Sequence, residues 1–203
     1  MPEFNSLLET LKKAAAALRG SEARFLLGGG LAAWARGGPE SNHDLDLMVR
    51  PQDAQEVIEA LAEAGFRIEN PPEEWLYKAW DGDVLLDVIF EPSGGPVDDA
   101  MFERAEELDV SAVTMQVMAL EDVMVTKLLS MREHEVDYES VLEIARALRE
   151  QIDWDEVWRR TSQSAYARAF FFLAEQLGIL DEQRANRSES DSSRVPSAGS
   201  RES

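Results

Sequence analysis

Apolar residues recur at helical spacing through 4–19, at Leu7, Leu8, Leu11, Ala15 and Leu18, and Gly20 marks a stop. That pattern predicts an opening helix. Shorter segments follow: Arg24–Leu27 reads as a strand, Leu31–Arg36 as a helix opened by glycines, and Asp44–Val49 as a second strand. Gln52–Ala64 is amphipathic, with Val57, Ile58, Leu61 and Ala64 on one face and Gly65 at its end. After a strand at Phe66–Ile68, two apolar runs, WLYKAW and DVLLDVIF, flank Asp81-Gly82. Asp-Gly between such runs signals a hairpin, because a type I′ turn needs positive φ at both central residues. Residues 97–108 are predicted helical and 111–117 a strand. From Leu120 onward the pattern is helical throughout, over 120–132, 138–150, 153–160 and 164–177, with Gly178 as the stop. The chain thus divides into an α/β half and a helical half. EQRANRSESDSSRVPSAGSRES, at the end, has almost no apolar content and is expected to be disordered.

Composition narrows the class. Hydrophobic residues make up 44% of the 203, enough for a core, and no apolar run approaches the roughly 18 residues that span a bilayer. The first residues, MPEFNSLLETLKK, lack the apolar core of a signal peptide. With no cysteine there is no disulfide framework or thiolate metal site. A cytoplasmic protein with no membrane partner is expected. The net charge of −20 is concentrated in residues 51–110, where 17 acids face 3 bases. Such a surface opposes broad nucleic-acid binding, which needs clustered Lys and Arg on phosphates.

Candidate chemistry lies between Leu26 and Val49, in LLGGGLAAWARGGPESNHDLDLMV. On a strand Asp44 and Asp46 project from one face while Leu45 and Leu47 enter the core. His43 falls on the Leu45 face, as a buried or capping histidine. Two same-face carboxylates suit a hard cation such as Mg²⁺ or Mn²⁺, or else cap a helix or bind an arginine. Asp87 then stands alone among the apolar residues of VLLDVIF, where a lone charge is costly to bury. If its strand lies beside that of Asp44 and Asp46, three carboxylates converge and can hold the two metals of an in-line phosphoryl displacement. Asp81 and Asp83 flank the turn and are poorer candidates. Gly28–Gly30 closes a strand and opens a helix, where backbone N–H groups can accept phosphate, without the spacing of a Walker or dinucleotide loop. Lys127 shares a helical face with Val123, Met124, Leu128 and Met131, the stripe expected to pack inward. It either snorkels along apolar surface or reaches a ligand. Asp137 either caps the helix beginning near Tyr138 or orients Lys127 or a metal. Trp154, Trp158, Tyr166, Phe170, Phe171 and Phe172 read as core. Arg146, Arg149, Arg159, Arg160 and Arg168 either receive a phosphodiester backbone or pair with neighbouring acids.

Gly29-Gly30-Leu31-Ala32 with Gly37, then Asp44-Leu45-Asp46, then Asp87 in an apolar strand, resemble the nucleotidyltransferase superfamily of DNA polymerase beta. Within it the chain is most similar to the small bacterial group that includes the AbiEii and MenT-type toxins. That group's helical motif is matched by Glu121-Asp122-Val123, Lys127-Leu128, Arg132 and Asp137. The resemblance implies an α+β fold, a small mixed-sheet nucleotidyltransferase core flanked by helices and followed by a C-terminal helical bundle. The expected boundaries are 1–117, 118–181 and a tail at 182–203. It further implies that Asp44, Asp46 and Asp87 are catalytic metal ligands for Mg²⁺ (or Mn²⁺). Gly29, Gly30 and Lys127 would bind the triphosphate of an NTP such as ATP. Gly30 replaces a serine common in relatives, Glu40 and Asn42 replace an Arg and a Thr, and Ser140 replaces a second acid.

Three functions follow as expectations. The first is nucleotidyl transfer to RNA, in particular a tRNA 3′ end, as in a toxin–antitoxin system with an antitoxin partner. The second is transfer to an antibiotic or other small molecule, favoured by the acidity. The third is a noncatalytic nucleotide-binding module.

Overall fold

The computed structural model describes residues 3–40 and 44–180; His43, Asn42 and the tail at 182–203 lie outside the described residues. Helix α1 (Phe4–Leu18) buries Leu7, Leu11, Ala14 and Leu18. Strand β1 (Phe25–Leu27) leads through Gly28 into α2 (Gly29–Trp34), and β2 (Leu45–Val49) follows. A single 3₁₀ turn, Pro51–Asp53, precedes α3 (Ala54–Glu63). Strands β3 (Arg67–Glu69), β4 (Leu76–Asp81) and β5 (Val84–Ile89) complete one side of the sheet. Then come α4 (Asp99–Arg104), β6 (Glu106–Val110) and β7 (Val113–Val117), and finally α5 (Leu120–Ser130), α6 (Tyr138–Leu148), α7 (Trp154–Thr161) and α8 (Ala165–Gln176).

The seven strands form one mixed sheet in the order β3-β4-β5-β2-β1-β7-β6. Strands β2 and β5 run parallel at its centre, and each is continued outward by antiparallel neighbours, β1 and β4. One face is covered by α1 and α3, against which the fully buried Leu45, Leu47, Leu86 and Val88 pack. Residues of the opposite parity, including Asp46 and Asp87, therefore face the side occupied by α2 and α5. Four helix starts, those of α4, α6, α7 and α8, carry side-chain caps: Asp98 accepts from the Met101 N–H, Asp137 from Ser140, Asp153 from Asp155 and Glu156, and Ser164 from Ala167.

Buried apolar side chains fall into two clusters. One lies under the sheet, and the other is among α5–α8, centred on Trp154, Phe170 and Phe171. They interlock, since Ala33 of α2 belongs to the helical cluster and Val123 of α5 to the sheet cluster. Asp122 of α5 is fully buried between them. It accepts two 2.9 Å hydrogen bonds from Arg104 of α4 and meets Arg160 of α7 at 2.7 Å. A buried carboxylate is tolerated when its lone pairs are filled in this way.

Three details depart from the sequence pattern. Residues 106–110 form an edge strand rather than the end of a helix. Its alternating Glu106, Leu108 and Val110 were masked by the acids Glu107 and Asp109, which suit an unpaired sheet edge. The β4–β5 turn is centred on Gly82-Asp83, with Asp81 paired to Val84. Only Gly82 of the two has positive φ (60°), as in a type II′ turn. Asp81 is held instead by α1, through Lys13 at 2.6 Å and Thr10 at 3.2 Å. Finally, Phe172 is 62% exposed and stands outside the aromatic core.

Between β6 and β7, Ser111 (φ 50°) and Ala112 (φ 68°) both adopt left-handed backbone without glycine. That conformation crowds Cβ against the following carbonyl. Ala112→Gly is expected to raise unfolding free energy by about 1 kcal/mol, measured by urea denaturation.

Candidate active site

Strand register brings the acids together. Asp46 of β2 lies directly opposite Asp87 of β5 in the parallel pair, so their side chains share a face. Asp44, one residue ahead of β2, joins them, and each of the three offers a carboxylate oxygen within 4.8 Å of the others. Asp87 is 8% exposed, and its Oδ1 has no hydrogen-bond partner. A buried carboxylate oxygen left without a donor is expensive, and a cation among three such oxygens would satisfy it. An all-carboxylate donor set fits Mg²⁺ or Mn²⁺ and offers nothing to a softer metal.

Crowding is visible in the acidities. Burial first, then the charge of Asp44, push the Asp46 carboxyl up to about 8; Lys127 opposes this and Asp87 adds to it. Asp87 is pushed up to about 6, by burial first and then by Asp44, with Lys78 opposing and Glu73 adding. Without a cation Asp46 and Asp87 both resist ionisation.

Gly29 explains the glycine run. Its φ is +54°, and a Cβ there would stand 1.6 Å from Asp46 Oδ2. The backbone thus passes directly against the carboxylate, and the Gly28 N–H donates to the Asp46 carbonyl at 2.8 Å, tying the turn to β2. Gly30 follows in the first turn of α2.

The site opens on a cleft of about 1070 Å³. Gly29 and Asp46 lie at its floor, and Thr126, Lys127, Ser130, Arg132 and His134 line it from α5 and the loop that follows. Glu73, Glu74, Trp75 and Glu91 line it from the segments flanking β4 and β5. Lys127 is half-buried and enters the cleft with Asp46. Asp137 also reaches the lining, and it accepts hydrogen bonds from the Ser140 N–H and hydroxyl as the cap of α6. Two groups escaped the sequence pattern. Lys78 lies opposite Asp87 on β4, and the glutamates beside Trp75 read only as solvated charge. Of the arginines on the helical half, Arg159 pairs with Glu156, Arg149 with Glu150 and Arg160 with Asp122, while Arg168 donates to the Ser162 and Gln163 carbonyls.

The sequence matches the model of the family described as "Uncharacterised nucleotidyltransferase" over residues 5–178, and the chain belongs to that family. No curated protein sequence matches it. Among solved structures it is similar to the antibiotic-resistance factor ANT(2'')-Ia in solution, with TM-score 0.62 and 16% identity over 87% of this chain and 98% of that one. It is also similar to an antigenic nucleotidyltransferase-like protein from Paracoccidioides brasiliensis, with TM-score 0.51 and 14% identity over 94% of each chain. At these identities the likeness is one of fold, and the fold is the α+β one expected.

Two outcomes test this geometry. Asp46 has a folded pKa above its unfolded value of about 3.9, so the stability it allows is complete below about pH 4 and is lost as pH rises through about 8. In chelator, Asp46→Asn is therefore expected to melt above the unsubstituted protein at pH 8, with the gap closing towards pH 4. Gly29→Ala must displace Asp46 and strain a left-handed residue, and a loss of about 2 kcal/mol is expected in denaturant titration.

Proposed function

We propose that this member of the nucleotidyltransferase family transfers NMP from an NTP to a hydroxyl of a small cationic acceptor, releasing pyrophosphate. The observation that carries the acceptor class is the cleft wall of Glu73, Glu74 and Glu91 around the 39% exposed Trp75. Such a wall attracts a cation with a ring face and repels a polyanion. Pairing of Arg149, Arg159 and Arg160 with acids, and of Arg168 with carbonyls, argues against an RNA acceptor, which needs clustered free cations. The antibiotic-resistance role of the similar ANT(2'')-Ia fold agrees with this reading.

Asp44, Asp46 and Asp87 would hold divalent ions, Mg²⁺ or Mn²⁺, whose charge offsets that of the triphosphate and of the reacting oxygens. Asp87, besides helping to hold the ions, takes the proton of the acceptor hydroxyl on its carboxylate. The acceptor oxygen attacks the α-phosphorus, the bond from that phosphorus to the bridging oxygen of the β-phosphate breaks, and pyrophosphate departs. Gly29 and Gly30 supply backbone N–H donors at the start of α2, and Lys127 offsets charge on the β- and γ-phosphates. Asp137 serves as a helix cap. The sheet-bearing residues 1–117 supply the acids and 118–181 the lysine, so that catalysis needs both parts in register.

Purified protein with Mg²⁺ and each of four α-labelled NTPs tests the proposal, with an aminoglycoside panel, total tRNA or no acceptor in parallel. Label is expected on a polyamine sugar, and Asp46→Asn is expected to abolish transfer while keeping the melting transition. A fully active Asp46→Asn variant would sink the assignment of the acids. Label on tRNA alone would overturn the acceptor class and favour the toxin-like reading with its antitoxin. NTP binding without transfer to any acceptor would support a binding module.

A further inference from the structure

A row of charged residues crosses four neighbouring strands in register: Glu69 on β3, Lys78 on β4, Asp87 on β5 and Asp46 on β2. Residues in lateral register share a sheet face, so all four belong to the side that carries the cleft. Glu69 is already engaged, accepting from Trp80 Nε1 at 3.1 Å and lying 3.6 Å from Arg67. Most other cations near the sheet are committed as well: Lys13 to Asp81, Arg50 to Asp53 and Asp99, and Arg104 and Arg160 to Asp122. Lys78, half-buried, has no ion pair within 4.0 Å among the described residues, and its nearest lateral neighbour toward the site is Asp87. Its charge opposes the rise in the Asp87 pKa, as that of Lys127 does for Asp46. The three carboxylates thus sit between two lysines, Lys127 from α5 and Lys78 from β4.

We propose that Lys78 is a positioning residue of this site, a resident counter-cation that keeps the three aspartates together when no metal is bound and opposes the entering divalent ion. The inference rests on the reading of Asp44, Asp46 and Asp87 as metal ligands. Lysine suits the role: its ammonium is a point charge on a flexible stem, able to lean toward Asp87 and swing away. It makes the empty site cheaper and the filled site less tight, since a positive charge beside bound Mg²⁺ is repelled.

Lys78→Met keeps the stem and removes the charge; Lys78→Arg keeps the charge. Mn²⁺ binding without nucleotide, followed by electron paramagnetic resonance, is expected to tighten roughly fivefold in Lys78→Met. Lys78→Arg should stay near the unsubstituted value. In chelator Lys78→Met is expected to melt below the unsubstituted protein, with saturating Mg²⁺ closing the gap. Unchanged or weaker Mn²⁺ binding in Lys78→Met, or a melting deficit that Mg²⁺ leaves intact, would overturn the proposal and make Lys78 a packing residue. If the unsubstituted protein itself binds no Mn²⁺, the metal reading of the aspartates fails, and this inference falls with it.

Discussion

Mutual repulsion of three carboxylates governs the arrangement around them. Parallel pairing of β2 and β5 sets Asp46 beside Asp87, and the chain entering β2 adds Asp44. No sheet adopts that register for stability, because burial and like charge both oppose ionisation there. The cost is borne by the rest of the fold: fully apolar partners on the other face of the same strands, a glycine backbone that lets Asp46 settle, and lysines on both sides. Stability given up at such a site, and recovered elsewhere, is the physical mark of a place built to hold something positive.

The acids were legible because a charged residue inside an apolar strand contradicts its surroundings, and Asp87 does so plainly. The glycines were legible as a turn, but their closeness to Asp46 needed coordinates. Lys78 was hidden for a different reason. Centring the hairpin on Asp81-Gly82 would pair Lys78 with Leu85, whereas the observed turn at Gly82-Asp83 pairs it with Asp87. Moving the turn by one residue shifts every lateral pairing by two positions, and a turn dipeptide alone does not set it. Strand β6 was missed because its charges resemble those of a helix surface. Helices α5–α8, by contrast, follow the apolar periodicity within two residues, because packing and periodicity agree there.

The helical half contributes to the cleft through α5 and the loop that leads from it to α6. Helix α5 begins with Asp122 locked between Arg104 and Arg160, and one turn later presents Thr126 and Lys127 to the floor where Asp46 lies. The position of Lys127 relative to the acids is therefore set by an ion cluster outside the cleft, in which both α4 and α7 take part. The Glu121 carboxylate adds to this, accepting from the Asp153 N–H at 2.7 Å where α7 begins.

Asp122 also has a bearing on the solution in which the protein works. Mobile ions screen charges they can surround, and the Asp122 carboxylate that joins Arg104 to Arg160 is fully buried, out of their reach. The glutamates around Trp75 are exposed and fully open to screening. Rising ionic strength would therefore leave the spacing of Lys127 and the aspartates intact while weakening the pull that the outer wall exerts on a charged visitor. The two halves of the cleft answer to different variables: one is fixed by folding, and the other is adjustable by salt.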